Sequence, residues 1–427
     1  MKNIIFLFAL VLFGTTLFAQ KFDVSAEVRP RFESRHGYKS LAVKDIDGAN
    51  FISQRTRLNF KYQQAKMRFG LSLQNVRVWG DVSTLASSDK SSSFHEAWAE
   101  AVLSDKVSLK MGRQEIIYDD HRIFGSVGWA QQARSHDAFI AKFTPNANNR
   151  VDIGLALNYD KQNGVDQIYS NVAGYKNFQY AWYHGKFDKL GVSVLLLNTG
   201  VEYPDSTKQK IGFMQTIGPR LTYKSGKLSL NAATYFQTGK KVNVTTGTSN
   251  DVSALYFGAG ANYKATSQFM IGAAVDYLSG KDMDDNSRDY KSFAPLFGTN
   301  HKFNGWMDYF YVGNHFGSVG LMDINATLAY KKDKFSAKVI PHFFSAPGKI
   351  VKAGKTLDKN LGTEIDFTMG YAISKNVKMI AGYSMMLATE SMEVVKGGGS
   401  KDENNTWGWL MFVFKPKLFS HTVPEVK

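Results

Sequence analysis

The stretch Lys21-Phe22-Asp23-Val24-Ser25-Ala26-Glu27-Val28-Arg29 places polar or charged residues at odd positions and apolar ones at even positions. The rhythm returns over 51–63, where Ser53, Arg55, Arg57, Asn59, Lys61 and Gln63 alternate with Ile52, Thr56, Leu58, Phe60 and Tyr62. It returns again over 150–158, with Arg150, Asp152, Gly154, Ala156 and Asn158 set against Val151, Ile153, Leu155 and Leu157. A period of two is that of a strand, whose side chains alternate between the faces of a sheet. A soluble sheet buries its apolar face under a second layer. A membrane barrel turns that face to lipid and keeps the polar face around a lumen.

The ends and the composition narrow the choice. Lys2 supplies a positive start, Ile4 to Phe13 an apolar run, and Thr15-Thr16-Leu17-Phe18-Ala19-Gln20 a cleavage region. Residues 1–19 therefore read as a secretory signal peptide. The apolar run is shorter than the ~18 residues a helical span needs, and no other run reaches that length. Cysteine is absent, which removes disulfides, thiolate chemistry and amino-terminal lipidation. The chain holds 20 Tyr, 31 Phe, 7 Trp and 37 Gly but only 9 Pro, and such aromatic wealth suits the girdles of a membrane barrel. Its formal charge of +15 seeks anionic partners. For an exported chain those are lipopolysaccharide phosphates and anionic solutes rather than nucleic acid.

Alternating segments separated by turn residues fall near 20–35, 50–64, 65–79, 93–103, 105–116, 133–144, 149–160, 175–188, 190–199, 210–224, 226–239, 253–264, 267–279, 320–332, 334–345, 361–373, 376–388 and 404–415. The connections alternate strictly between long and short. Gln64-Ala65, Asp188-Lys189 and Ser225-Gly226 are short; 117–132 and 280–319 are the longest and most aromatic. Short periplasmic turns, long outer loops and an even strand number are the layout of an outer-membrane barrel. The expected fold is all-β: a single 18-stranded antiparallel transmembrane β-barrel over 20–415, followed by a flexible periplasmic tail over 416–427. Eighteen strands should enclose an aqueous channel rather than a packed core, narrowed by whichever loops fold inward.

Parity assigns the lumen face. It collects Glu27, Arg29, Arg31, Glu33 and Arg35, then Arg55, Arg57 and Lys61, then Arg134 and His136. The basic groups lie on neighbouring staves. Two readings follow: a lattice of arginines paired with wall carboxylates, or a ladder that guides an anion. Parity fails at Arg113, which shares its strand with Lys110, Gly112 and Gln114 but points the other way. Either Gly112 hosts a bulge, or Arg113 lies above the membrane; Arg77 poses the same question. The block 115–132 combines Glu115, Asp119, Asp120, His121 and Arg122 with Tyr118, Phe124 and Trp129. Apolar bodies with polar tips suit a segment packed against a wet wall. It is expected to fold into the lumen, aromatics against the wall and charges toward Arg55, Arg57 and Arg134.

The run Gly112-Arg113-Gln114-Glu115-Ile116-Ile117-Tyr118-Asp119-Asp120-His121-Arg122 continues to Trp129 and Arg134-Ser135-His136-Asp137. With Arg55-Thr56-Arg57-Leu58, Asn75-Val76-Arg77-Val78-Trp79-Gly80-Asp81, Pro295-Leu296-Phe297-Gly298-Thr299 and Gly305-Trp306-Met307-Asp308, it resembles the alginate export family of outer-membrane proteins over essentially the whole mature chain. The resemblance implies an eighteen-stranded barrel with an electropositive constriction that passes an acidic polysaccharide outward. It also implies a long periplasmic loop, whereas every periplasmic turn here is short.

Other chemistry is weakly supported. His95-Glu96, His121 and His136 lack metal-ligand spacing, and Ser135 and His136, being adjacent, should face opposite ways, which disfavours a barrel hydrolase. Asp282-Met283-Asp284-Asp285-Asn286 lacks the glycine and terminal glutamate of a calcium loop. No cofactor, metal or enzymatic activity is expected. The leading function is a monomeric outer-membrane channel for anionic solutes, in the first place an acidic poly- or oligosaccharide. Arg29, Arg31, Arg55, Arg57, Arg113, Arg122, Arg134, Glu115, Asp119, Asp120 and His121 are its expected path residues. A general or carboxylate-specific anion porin is the alternative, and a surface adhesin or enzyme the second. Expected partners are outer-membrane lipid, lipopolysaccharide, an anionic carbohydrate and, for export, a periplasmic protein.

Overall fold

The computed structural model describes residues 20–423 except 90, 163, 165, 166, 206 and 207. The expected signal peptide, 1–19, lies outside the described residues. Each expected segment is a strand: β1 (Gln20–His36), β2 (Ala49–Gln64), β3 (Met67–Val78), β4 (Ser92–Val102), β5 (Val107–Gln114), β6 (His136–Asn146), β7 (Asn149–Leu157), β8 (Asn177–Phe187) and β9 (Leu190–Asp205). They continue with β10 (Lys208–Ser225), β11 (Leu228–Asn243), β12 (Thr248–Lys264), β13 (Phe269–Leu278), β14 (Leu321–Lys332) and β15 (Phe335–Ser345). The small strands β16 (Val351–Lys352) and β17 (Lys355–Thr356) form a hairpin inside a long loop. The wall resumes with β18 (Asn360–Ser374) and β19 (Val377–Ala388), and closes with β20 (Asn405–Phe414) and β21 (Lys417–Val423). From β1 to β20 each wall strand pairs antiparallel with the next, and β1 pairs with both β20 and β21, which closes the sheet into a barrel.

β20 and β21 lie end to end on one stave. β20 covers Val28–His36 of β1, and β21 covers Gln20–Ser25. The wall is therefore eighteen staves, and the expectation of a flexible tail is corrected: 417–423 complete the last stave. Pro416 lacks an N–H, so the ladder skips there, and the register shifts between Val24 and Ser25. Alternation in Lys417–Val423 is weak, which hid the strand.

The loops expected over 200–209 and 240–252 also shrink. β9 and β10 run up to the described limit of their turn, and only 244–247 separate β11 from β12. Above the membrane a ladder needs no apolar face, so the pattern that reveals strands fades there while the hydrogen bonds continue. Phe187, Leu196, Phe236, Phe257 and Ile324 are exposed on the lipid face. The bulge anticipated near Gly112 is on the neighbouring strand instead: Ser72 faces Glu96 and Leu73 faces Phe94, leaving His95 as the extra residue. Gly112 keeps register opposite Trp98, at φ +110°.

The lumen is narrowed by inward loops, as expected, through residues 115–135 and 279–320; the departure is that they pack a core there. They build an apolar core from Phe124, Phe293, Phe297, Tyr309, Phe310 and Tyr311, all nearly inaccessible to water save partly Phe297.

Removing residues 415–427 should strip six residues of β1 of their partner and reopen the barrel seam. We expect a lower heat-modifiable fraction on gel electrophoresis and a lower unfolding temperature. An unchanged fraction and temperature would show that β21 is dispensable for closure.

Candidate functional site

Residues 115–135 lie across the lumen, touching both sides. Their two roots are stapled by the bulged His95. Its Nε2 lies 2.7 Å from Glu115 Oε1, and the Ser135 hydroxyl donates to the His95 carbonyl at 2.5 Å. Ser135 Oγ is also 3.1 Å from His95 Nδ1. The grouping superficially resembles a serine–histidine–carboxylate set, but the hydroxyl proton is committed to the carbonyl, which makes it a structural fastening.

From this root the loop reaches the far wall. Tyr118 stacks on Trp182 at 4.4 Å and donates to Asp152 Oδ2 at 2.7 Å. Asp119 accepts from Trp182 Nε1 at 3.0 Å and from Ser193 Oγ at 2.6 Å. Asp120 pairs with Arg220 at 3.1 Å. Asp119 and His121 adopt positive φ, 52° and 74°, which gives the coil its tightness. Burial and nearby Lys302 hold the His121 imidazole below its ordinary pKa.

Arg122 is wholly buried. It pairs with Asp276 at 2.6 Å, donates to Asn304 at 3.1 Å, and lies between the rings of Phe303 and Tyr256. Burial opposes its charge, but Asp276 more than compensates, and the pKa rises above the ordinary arginine value. Arg122 is therefore a cross-link between loop and wall, not a path residue.

The returning limb meets the arginine staves. Arg29 donates to the carbonyls of Gly128 at 2.8 Å, Trp129 at 3.0 Å and Ala130 at 3.3 Å, and to Gln131 Oε1 at 2.9 and 3.1 Å. Arg31 donates to the Trp129 carbonyl at 2.8 Å, pairs with Glu33, and lies 3.9 Å over the Trp129 ring. Arg55 pairs with Glu27 and reaches the Gln131 carbonyl at 3.3 Å. Arg57 holds Gln74, which holds the Gln132 carbonyl. Trp129 packs against Trp409 at 4.8 Å, Trp407 at 5.6 Å and His301 at 4.7 Å. The inward placement and the aromatics against the wall are as expected. The charges are not: Asp119, Asp120 and Arg122 face β8–β13, and Arg29, Arg31 and Arg55 meet backbone carbonyls.

The second inward loop is held by a separate arc of the wall and by the opposite sign. Glu364 Oε1 accepts the Met307 N–H at 2.8 Å, and Asp366 Oδ2 the Trp306 N–H at 3.1 Å. His342 lies between Asp323, at 3.0 Å, and Asp366, at 3.5 Å. Gly305 sits at φ +82°, and a Cβ there would come within 2.6 Å of the Glu364 carboxylate. Asp323 on β14 joins Glu364 and Asp366 on β18 only through strand register, so the sequence did not show them as one set. The two loops are joined to each other through Gly125 N–H to the Phe297 carbonyl and Thr299 N–H to the His121 carbonyl, both at 2.9 Å.

Two cavities open at the long-loop end. One, about 660 Å³, is lined by Arg31, Arg35, Arg77, Arg134, Trp129 and Tyr311 among others. The other, about 740 Å³, holds Arg113, Arg134, Lys240 and Lys241 with Asp137 as its one carboxylate. Arg134 borders both, its guanidinium anchored on the Gly298 carbonyl at 3.1 Å. Arg113 is exposed at the upper end of β5 and pairs with Asp137 at 2.9 Å; Arg77 pairs with Asp89 in an outer loop. Both parity exceptions thus sit near the outer ends of their strands. A third cavity, about 170 Å³, lies toward the short turns beside Asp120, Lys302 and Asn304.

An eighteen-stave barrel with a charged, loop-narrowed lumen is a porin-type channel of the bacterial outer membrane. The alginate export model matches residues 20–402, and the chain belongs to that family. Solved structures share the fold at low identity. Pseudomonas aeruginosa OccK9 (OpdG) is 13% identical, with TM-score 0.60 over 94% of this chain and 98% of that one. A BenF-like porin from Pseudomonas fluorescens Pf-5 is 13% identical, with TM-score 0.60 over 93% and 99%. Pseudomonas aeruginosa OpdK with vanillate is 11% identical, with TM-score 0.58 over 94% and 99%. Comparison with curated proteins by sequence gives no match.

Arg29→Ala should remove the main fastening of residues 128–131, weakening it by on the order of 3 kcal/mol. Single-channel conductance in planar bilayers should rise, and rise further on deleting 119–127. Unaltered conductance in correctly folded, heat-modifiable protein would refute the clamp.

Proposed function

We propose that the channel passes anionic solutes of small or oligomeric size, sugar acids foremost, and that Arg134 and Lys241 are the cations they meet first. The supporting observation is the 740 Å³ outer cavity, where four cations face one carboxylate. Arg113 is already paired with Asp137 and Lys240 with Asp251. Arg134 and Lys241 have no carboxylate partner among the described residues. Tyr159, Tyr169 and Tyr175 line the same cavity and offer ring faces of the kind carbohydrates stack on. OpdK, alike in fold, holds vanillate, which is also a carboxylate.

The size limit rests on the two inward loops. An acidic polymer, the substrate that the family name suggests, would need 115–135 and 279–320 to leave the lumen together. The periplasmic turns among the described residues are short, so the narrowing comes from the outer loops. Arg29, Arg31 and Arg55 act by holding the loop in place, and Arg57, beside Gln74, is the wall arginine nearest to a path role. The channel works as a monomer, with solute and membrane as its partners.

Reversal potentials in planar bilayers under a salt gradient test this. Arg134→Glu should lower the anion-to-cation permeability ratio about five-fold, the factor that ~1 kcal/mol represents, without a large rise in conductance. Lys241→Glu should act in the same direction. Cation selectivity in the wild type, or no change in either variant, would overturn the proposal.

A further inference from the structure

The lipid face carries its own feature. Across β9–β13 a groove of about 680 Å³ lies in the half of the wall nearer the short turns. Register explains it. Ala232 faces Ala259 across the β11–β12 ladder, and Ala261 faces Ala273 across the β12–β13 ladder. Neighbouring staves thus present methyls side by side on the outer surface, and Leu190, Leu221 and Leu230 stand higher around them. The groove opens into the hydrocarbon of the membrane, so an acyl chain is the occupant its position provides.

Its periplasmic end is basic. Lys189 lies in the β8–β9 turn, Lys224 and Lys227 flank the β10–β11 turn, and Lys264 ends β12. All four are exposed, and Asp188 is the single carboxylate among these turn residues. No ion pair engages Lys189, Lys224 or Lys264 among the described residues. Lys227 Nζ donates to the Ala265 carbonyl at 3.3 Å, bridging one turn to the next. Tyr223 and Tyr263 are exposed on the lipid face just inside the rim, at the depth where phenols meet headgroups. Lysines at this rim attract an anionic headgroup.

We infer that this groove is a phospholipid site of the periplasmic leaflet: one acyl chain lies over Ala232, Ala261 and Ala273, and an anionic headgroup is held by the lysines of the β8–β9 and β10–β11 turns. Lipopolysaccharide occupies the opposite leaflet and cannot reach this end. A protein partner would have to enter the hydrocarbon to fill the groove.

Native mass spectrometry of the full-length barrel, exposed to equal amounts of phosphatidylglycerol and phosphatidylethanolamine, tests the site. The wild type should retain the glycerol lipid preferentially. Lys189→Glu with Lys227→Glu should reduce that retention by at least about five-fold. Filling the groove by Ala261→Trp, or more gently by Ala273→Leu, should reduce it comparably. Heat-modifiability and wild-type conductance serve as the folding control. Equal retention of the two lipids by the wild type would overturn the site. So would charge variants that lose the lipid while both groove variants keep it, since that marks diffuse attraction to the rim without a slot.

Discussion

The interior of this barrel depends on one constraint: two long coils cross a lumen, and their backbone polar groups need partners that no strand ladder supplies. The wall provides them as formal charges. On β1 and β2 arginines meet carbonyl oxygens of 128–131, and on β18 carboxylates meet the N–H groups of 306 and 307. The signs are dictated by the backbone itself. A carbonyl needs a donor, and the guanidinium offers five; an N–H needs an acceptor, and a carboxylate offers only acceptors. The segregation of base and acid to separate arcs of the wall thus follows from which atoms each coil presents.

This reassigns the positive charge of the chain. A basic ladder read along adjacent staves looks like a path for anions. Here most of it is consumed: Arg29, Arg31, Arg55 and Arg122 are almost entirely hidden from water, and each is held by the inward loops, by a wall carboxylate or by both. The cations of the outer cavity that lack a carboxylate partner among the described residues are Arg134, at the root of the loop, and Lys241, on β11. Buried arginines held on several acceptors make a rigid frame, whereas Arg134 and Lys241 are only half-buried and line the outer cavity.

The sequence made the barrel legible because lipid imposes a strict period of two on every stave, and turn residues mark the ends. Strand count, order and inward loop all followed from that. Legibility failed where the constraint lapses. β9–β12 continue past the membrane, where no apolar face is required, and β21 is interrupted by Pro416. In the lumen, period two says only which residues face inward. It does not say whether they face water or protein, so Arg29 and Arg134 read alike although one is a fastening and the other a surface. The carboxylate set of Asp276, Asp323, Glu364 and Asp366 spans nearly a hundred residues of sequence and becomes a set only through strand register.

The two coils are also coupled to each other. Phe124 and Phe297 form a parallel bridge, Val127 N–H donates to Thr299 Oγ1 at 3.0 Å, and Lys302 reaches the Asp120 carbonyl at 2.9 Å. Arg122 then ties this junction to Asp276 on the wall. Withdrawing either coil alone would leave backbone groups of the other without partners and a buried arginine or carboxylate uncompensated, each a costly loss. The coils therefore share one fate. Clearing the lumen of both coils would break both clamps, the arginine one on β1–β2 and the carboxylate one on β18.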